Sequence, residues 1–290
     1  MNPFSYQGPV DPSRLIDRRA ELDGLQSAAA NRVAIRLGAA RGFGKTSVLD
    51  AHVAAMRAVG HRAVRVDLAK VGTVGDVAAR VAEAFSALPA DPGGTVRRWM
   101  GRLSVGAGVQ GVRVRVGPSA WRHRKRAFYG QARPLELGRL AVAEASAEIE
   151  ALLSANGLDG GSAVDELGSF TQGHPQRTVL LAHHLYNLLE TPEPGDDLVG
   201  AVIELALGET RDAQQALWDG LGRVERIVCM ALADGQAVTG SVLARECRVA
   251  RSTLREALER LLGDERHVQR DGEGRPFLVD PLLAEWLKRR

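Results

Sequence analysis

The sequence predicts an α/β protein: an incomplete parallel sheet carrying a phosphate-binding type of loop, then a small helical module, then a helix-turn-helix with a hairpin wing. Three observations carry this. The apolar run "VAIRL" at 33 to 37 ends in the glycine-rich "GAARGFGKTS" of 38 to 47, and "KTSVLDAHVAAMRAVG" beyond it has helical spacing. From about 141 onward, strand signals give way to helical ones. The last stretch reads as three helices followed by two strands around a Gly-rich tip.

Each element follows in order. The strand at 33 to 37 leads through the loop into a helix that Gly60 stops. "AVRVDL" at 63 to 68 reads as a second strand, and a helix from about Val74 to Leu88 is closed by "PADPGG", so parallel strand order is expected. "LSVGAGVQGVRVRVG" at 103 to 117 alternates like a hairpin, and "RPLELGRL" at 133 to 140 reads as one more strand. Residues 141 to 156, 162 to 172 and 175 to 189 read as helices, with "GHP" stopping one and setting Pro175 in the first turn of the next. "ETPEPGDD" at 190 to 197 is the best linker candidate, since its prolines and acids neither continue a helix nor pack a core. The expected divisions are a core over 1–140, a lid over 141–190, a linker over 191–210 and a separate unit over 211–290.

Composition narrows the class. A chain of 290 residues, 45% hydrophobic, can bury a substantial core or two to three small ones. No window approaches the roughly 18 to 20 uninterrupted apolar residues of a membrane span, and "MNPFSYQGPV" lacks the order of a secretory signal. A cytoplasmic protein without membrane contact is expected. Cys229 and Cys247 have no C-x-x-C neighbour and read as core residues rather than a disulfide or zinc site. The net charge of +3 permits an acidic partner but falls short of a dedicated nucleic-acid surface. Lysine is rare, occurring only as Lys45, Lys70, Lys125 and Lys288, so a lysine closing a glycine-rich loop stands out.

A phosphate loop works because backbone N–H groups and a helix N-terminus converge on phosphate oxygens, a lysine neutralises the outer phosphates, and a hydroxyl holds magnesium. Gly44, Lys45 and Thr46 match these roles, with Thr46 the Mg2+ ligand. Ala39 stands where the G-x-x-x-x-G-K-[ST] pattern has glycine, which alanine tolerates only if φ there stays negative. ATP with Mg2+ is the expected ligand, held by Ala39, Ala40, Arg41, Gly42, Phe43, Gly44, Lys45, Thr46 and Ser47.

On these residues the chain resembles the prokaryotic AAA+/STAND-type ATPases, the archaeal ATPases and replication-initiator-like NTPases. Their loops commonly read A-x-R-x-aromatic-G-K-T-S, which Ala39, Arg41, Phe43, Gly44, Lys45, Thr46 and Ser47 match. The opening "NPFSYQGPVDPSRLIDRRAEL", and later "RAFYGQARPLELGRL", "TQGHP" and "LVDPLLAEWLKRR", are similar to landmarks of that family. The resemblance implies a truncated P-loop NTPase parallel sheet, a helical lid and a winged helix-turn-helix domain. It also implies adenine contacts from Leu15, Ile16 and Arg18, and a lid sensor at Arg177, for which a solvated surface arginine is the plainer reading.

Hydrolysis in this class needs an apolar strand ending in an acidic pair, for magnesium and for the attacking water. Only "PSA" separates Gly117 from "WRHRKR" at 121 to 126, where the resemblance implies that strand and its successor. Asp67 is the weak magnesium candidate and Asp280 the other substitute. Without the missing strands, either the loop-bearing strand pairs directly with "AVRVDL" or a sheet edge stays bare. ATP binding with impaired or absent hydrolysis is therefore expected. His183 and His184, adjacent on a helix, diverge by about 100° and read as structural.

If the C-terminal unit reads DNA, Arg251, Ser252, Thr253 and Arg255 open its third helix toward the major groove. Residues 211 to 290 hold 14 Lys/Arg against 13 Asp/Glu, however, a weak cationic surface for phosphate contacts. A protein partner for this unit is the alternative to DNA, and an oligomer is compatible with either. The basic run at 121 to 126 reads more simply as a solvated junction. Three functions remain open: a nucleotide-dependent switch, a winged-helix transcriptional regulator with the core as scaffold, and a decayed copy without function.

Overall fold

The computed structural model describes residues 1 to 8, 10 to 86, 132 to 192, 195 to 262 and 267 to 290. The chain divides into two units, one of Met1–Arg18, Gly38–Lys45 and Glu136–Arg290, the other of Arg19–Leu37 and Thr46–Leu135.

The smaller unit opens with α1 (Arg19–Ala30), which the sequence reading did not anticipate and which buries Leu25 and Ala28. The chain then enters β1 (Ile35–Gly38), whose partner is β2 (Arg133–Glu136). The Arg133 amide donates to Ala34 O and the Leu137 amide to Gly38 O, each at 2.8 Å. Register advances in the same sense on both strands, so they are parallel. α2 (Lys45–Ala58) stops as expected at Gly60, which takes φ 84° while the His61 amide returns to Met56 O. α3 (Val74–Ser86) opens on a reciprocal cap: Thr73 Oγ1 accepts from the Asp76 amide, and Asp76 Oδ2 from the Thr73 amide.

"AVRVDL" forms no strand. The alternation at 63 to 68 suits a pleat, but a strand needs a partner, and β1 takes β2 instead. The stretch is tied to α2 by side chains: Arg65 pairs with Asp50 at 2.6 Å and Arg57 Nε donates to Ala63 O at 2.8 Å. The hairpin expected at 103 to 117, the stretch after Gly117 where the resemblance implies the acidic strand, and the basic run at 121 to 126 lie outside the described residues.

The larger unit holds the three expected helices, α4 (Val142–Ser154), α5 (Ser162–Thr171) and α6 (Pro175–Leu189). α7 (Leu198–Gly220) replaces most of the linker expected over 191–210. Asp197 caps it by accepting from the Gly200 amide at 2.8 Å, and Val202 with Ala206 and Ile203 with Leu207 then form an i, i+4 apolar stripe. That stripe is buried in one core with Leu153, Leu181, Leu185 and Tyr186. Further along, α7 buries Trp218 in a second core.

The second core gathers α8 (Arg223–Ala233), α9 (Ser241–Glu246), α10 (Arg251–Leu262), β3 (Val268–Arg270), β4 (Pro276–Leu278) and α11 (Pro281–Lys288). β3 and β4 pair antiparallel, with Val268 opposite Leu278. Val228, Leu254 and Leu258 from the helices, Val268 from the hairpin and Leu283 from α11 are all buried there. Cys229 lies inside this core, where burial pushes its thiol up to about 12, and Cys247 is half-buried. Among the described residues no helix is long and apolar enough to cross a membrane.

Candidate functional site

β1 delivers the chain into the loop at Gly38, where the Glu136 carboxylate lies so close that an added Cβ would stand 2.2 Å from Oε1. Gly42 and Gly44 follow at φ 82° and 78°, the left-handed region that glycine alone enters without strain. Ala39 is not among the residues of positive φ, so the alanine in place of the first glycine is accommodated without cost. The loop therefore curls as a cradle does, with each departure from ordinary backbone placed on a glycine.

Lys45 is the first residue of α2, and its ammonium is folded back into the loop: Nζ donates to Ala39 O at 2.8 Å and to Ala40 O at 2.9 Å. A cation at a helix N-terminus faces the unfavourable end of the helix dipole, and these carbonyls stabilise it there. Thr46 is exposed and Ser47 is buried.

Phe43, between the two left-handed glycines, is 1% exposed. Its ring meets the His174 imidazole edge to face at 5.0 Å and packs with Ala40 and Val279. Arg18, buried, donates through Nη2 to Gly138 O at 2.8 Å and Phe43 O at 3.4 Å. His174 caps α6, its Nδ1 accepting from the Arg177 amide, which fixes an imidazole free of a proton at that atom. Burial pushes its pKa down to about 4, the Arg177 and Arg139 charges press the same way, and Asp280 opposes them.

Arg177 and Asp280 form a two-pronged ion pair, Nε to Oδ1 at 3.0 Å and Nη2 to Oδ2 at 2.5 Å. Burial raises the Asp280 carboxyl, but the hydrogen bond and charge of Arg177 outweigh it and the net shift is downward. Asp280 Oδ1 also accepts from the Leu282 amide, capping α11. Arg139 completes the arrangement: Nη1 donates to Thr171 O at 2.9 Å, Nη2 to Val279 O at 2.8 Å, and the guanidinium stands 5.2 Å from the Phe277 ring centroid.

The structure sorts the residues singled out from sequence. The loop residues from Ala39 to Lys45, Arg18 and Arg177 converge in one unit. Arg177 is not a solvated surface arginine; its side chain is 14% exposed and committed to Asp280. Of the adenine candidates, Ile16 is buried in the helical core with Leu140, and Leu15 is half-buried. Asp67 is exposed, and its Oδ1 accepts from the Ala69 amide in a local turn. At the start of α10, Arg251 Nε donates to Thr239 O at 3.0 Å, Ser252 and Arg255 are exposed, and Thr253 is half-buried. His183 Nδ1 contacts Phe4 O and His184 Nε2 lies 3.2 Å from Glu209, as structural histidines would. Among the described residues, no group of three or more His, Cys, Asp or Glu is placed to hold a metal.

Sequence reading missed Arg139 and His174 as parts of this site. Both stood inside quoted landmarks, "RPLELGRL" and "TQGHP", and a histidine just before a helix-opening proline occupies an N-cap position.

The described chain has the fold of a Walker-type P-loop ATPase. It is similar over 98% of its length, and 99% of the other chain, to the Walker-type ATPase of Pyrococcus abyssi, with TM-score 0.66 and 14% identity. Weaker likenesses are to the Thermotoga maritima RuvB Holliday junction branch migration motor (TM-score 0.45, 15% identity, 94% of this chain and 96% of that one). The Aeropyrum pernix ORC1 protein in complex with DNA is weaker again (TM-score 0.42, 16% identity, 94% of this chain and 92% of that one). No family model matches the sequence, and no curated protein matches it.

Proposed function

We propose that this chain is an ATP-binding switch of the AAA+/STAND kind, with hydrolysis impaired or absent. The observation that carries this is the loop after β1: left-handed Gly42 and Gly44 flank an anchored Phe43, and the Lys45 ammonium is turned into the loop at the start of α2. In this reading the backbone amides of the loop and the N-terminus of α2 hold the phosphates. The Lys45 ammonium exchanges the Ala39 and Ala40 carbonyls for phosphate oxygens, and Thr46 offers the hydroxyl for magnesium. Bound Mg·ATP supplies the triphosphate charge that this cradle complements.

Two observations support weak hydrolysis. Asp280 spends both oxygens on Arg177 and one of them on the α11 cap, so it is not poised to orient water. Asp67 follows no strand and turns toward its own backbone. The order α8, α9, α10 and the β3–β4 hairpin supports a winged helix-turn-helix reading for the C-terminal module. Its packing on the phosphate loop through Val279 favours a role inside the switch over one as an independent DNA reader. The test is ATP turnover by purified protein beside Lys45→Ala: the two should be indistinguishable, and a wild-type turnover in the ordinary ATPase range of about 1 per second or more, lost in the variant, would overturn the reading.

A further inference from the structure

We infer that the C-terminal segment Phe277–Asp280 is a positioning element of the phosphate loop, so that the placement of the C-terminal module sets the affinity for nucleotide. The inference rests on the nucleotide reading above and names what regulates that site.

A loop with left-handed glycines on both sides of one residue is soft, because glycine has more backbone freedom to lose than any other residue. Arg18 and Lys45 hold its carbonyls, and the side chain between the glycines anchors it to the rest of the unit. Phe43 is 1% exposed, wedged against the His174 ring, and Val279, 4% exposed, packs with it in one small cluster. Val279 is itself held in place. Its carbonyl accepts from Arg139 Nη2, its amide donates to His267 O at 2.9 Å, and the next residue, Asp280, takes both prongs of Arg177.

These contacts link three parts of the unit that are far apart in sequence. Arg177 lies in the first turn of α6 directly after the His174 cap, and Arg139 also grips the carboxyl end of α5 through Thr171 O. When the C-terminal segment is seated, Phe43 is fixed and the amides of Gly42 and Gly44 stay in the curled arrangement. When it leaves, Phe43 loses one wall of its pocket and the glycines regain their freedom. Ordering the loop then has to accompany each binding event, and affinity falls. The coupling is reciprocal: a nucleotide that prefers the fixed loop holds the C-terminal segment down by the same factor.

The experiment titrates a fluorescent ATP analogue, with magnesium, into the full chain and its Val279→Ala, Asp280→Asn and Arg260→Ala variants, well below each thermal midpoint. Arg260→Ala removes the Arg260–Glu225 pair of the same module without touching the segment, and so controls for general loosening. Both segment variants should bind about tenfold more weakly than wild type, with the control unchanged. Because Val279→Ala also thins a packed cluster, a second readout uses only wild type: saturating analogue should slow hydrogen exchange of the Val279 amide. Wild-type binding with segment variants equal to or tighter than it, or an unchanged Val279 exchange rate, would overturn the inference and leave the nucleotide reading intact. No binding by wild type would remove both.

Discussion

Asp280 and Arg177, 103 positions apart, meet side-on, each guanidinium nitrogen opposite its own carboxylate oxygen. The pair is exposed by 14% on the arginine side and 25% on the aspartate side, so it is screened less than a surface pair yet is not fully buried. Arg177→Ala should cost about 2 kcal/mol, below the roughly 3–5 kcal/mol of breaking a fully buried pair. Arg177→Ala with Asp280→Asn should cost less than the sum of the two, because the second change removes the carboxylate left alone by the first. Urea unfolding at neutral pH checks both, and strict additivity would show the two groups to be uncoupled.

His174 makes the fold acid-sensitive. Its native pKa near 4 lies below the ordinary 6.5, so at mildly acid pH the unfolded chain binds a proton that the native chain rejects. The stabilising effect is complete above the ordinary value and is lost as pH falls from there toward 4. Between pH 7 and 5 it amounts to about 2 kcal/mol. His52 and His184, also lowered first by burial, add in the same direction. Urea midpoints at the two pH values should fall less in His174→Asn, which retains a capping side chain, than in wild type.

Gly173 and Gly208 should respond oppositely to alanine. Gly173 takes φ 72°, and a Cβ there would stand 2.1 Å from the carbonyl oxygen of Leu140, a backbone atom that a rotamer change cannot move. Gly173→Ala should cost at least about 2 kcal/mol. Gly208, on the exposed face of α7, has nothing within 4 Å of the same added atom. There alanine should add about 0.5–1 kcal/mol through helix propensity. Thermal or urea midpoints of the two variants decide the matter.

The loop was legible in the sequence because its chemistry is local: two glycines needing positive φ, a lysine and a hydroxyl occupy fixed positions between a strand and a helix. α4 to α6 were legible for the same reason, from apolar spacing and a Gly-His-Pro stop. α7 was not, since the acids and prolines at 190 to 197 read as a break, although Asp197 among them is the cap that starts the helix. "AVRVDL" misled because alternation reports suitability for a sheet and says nothing of whether a neighbouring strand is present. Arg177, Asp280, Arg139 and Val279 carry no signal toward each other along the chain. Their association depends on α5, α6 and the β3–β4 hairpin arriving at one place, which only the folded chain displays.

The most direct test is whether Mg·ATP stabilises the folded chain through Lys45. Thermal midpoints should be measured with and without Mg·ATP for wild type and for Lys45→Ala. A ligand at a hundred times its Kd adds about 2.7 kcal/mol to the state it binds, so the wild-type midpoint should rise by several degrees while that of Lys45→Ala stays still. A wild-type midpoint that does not move, or one that moves equally in the variant, would contradict a triphosphate cradle at this loop.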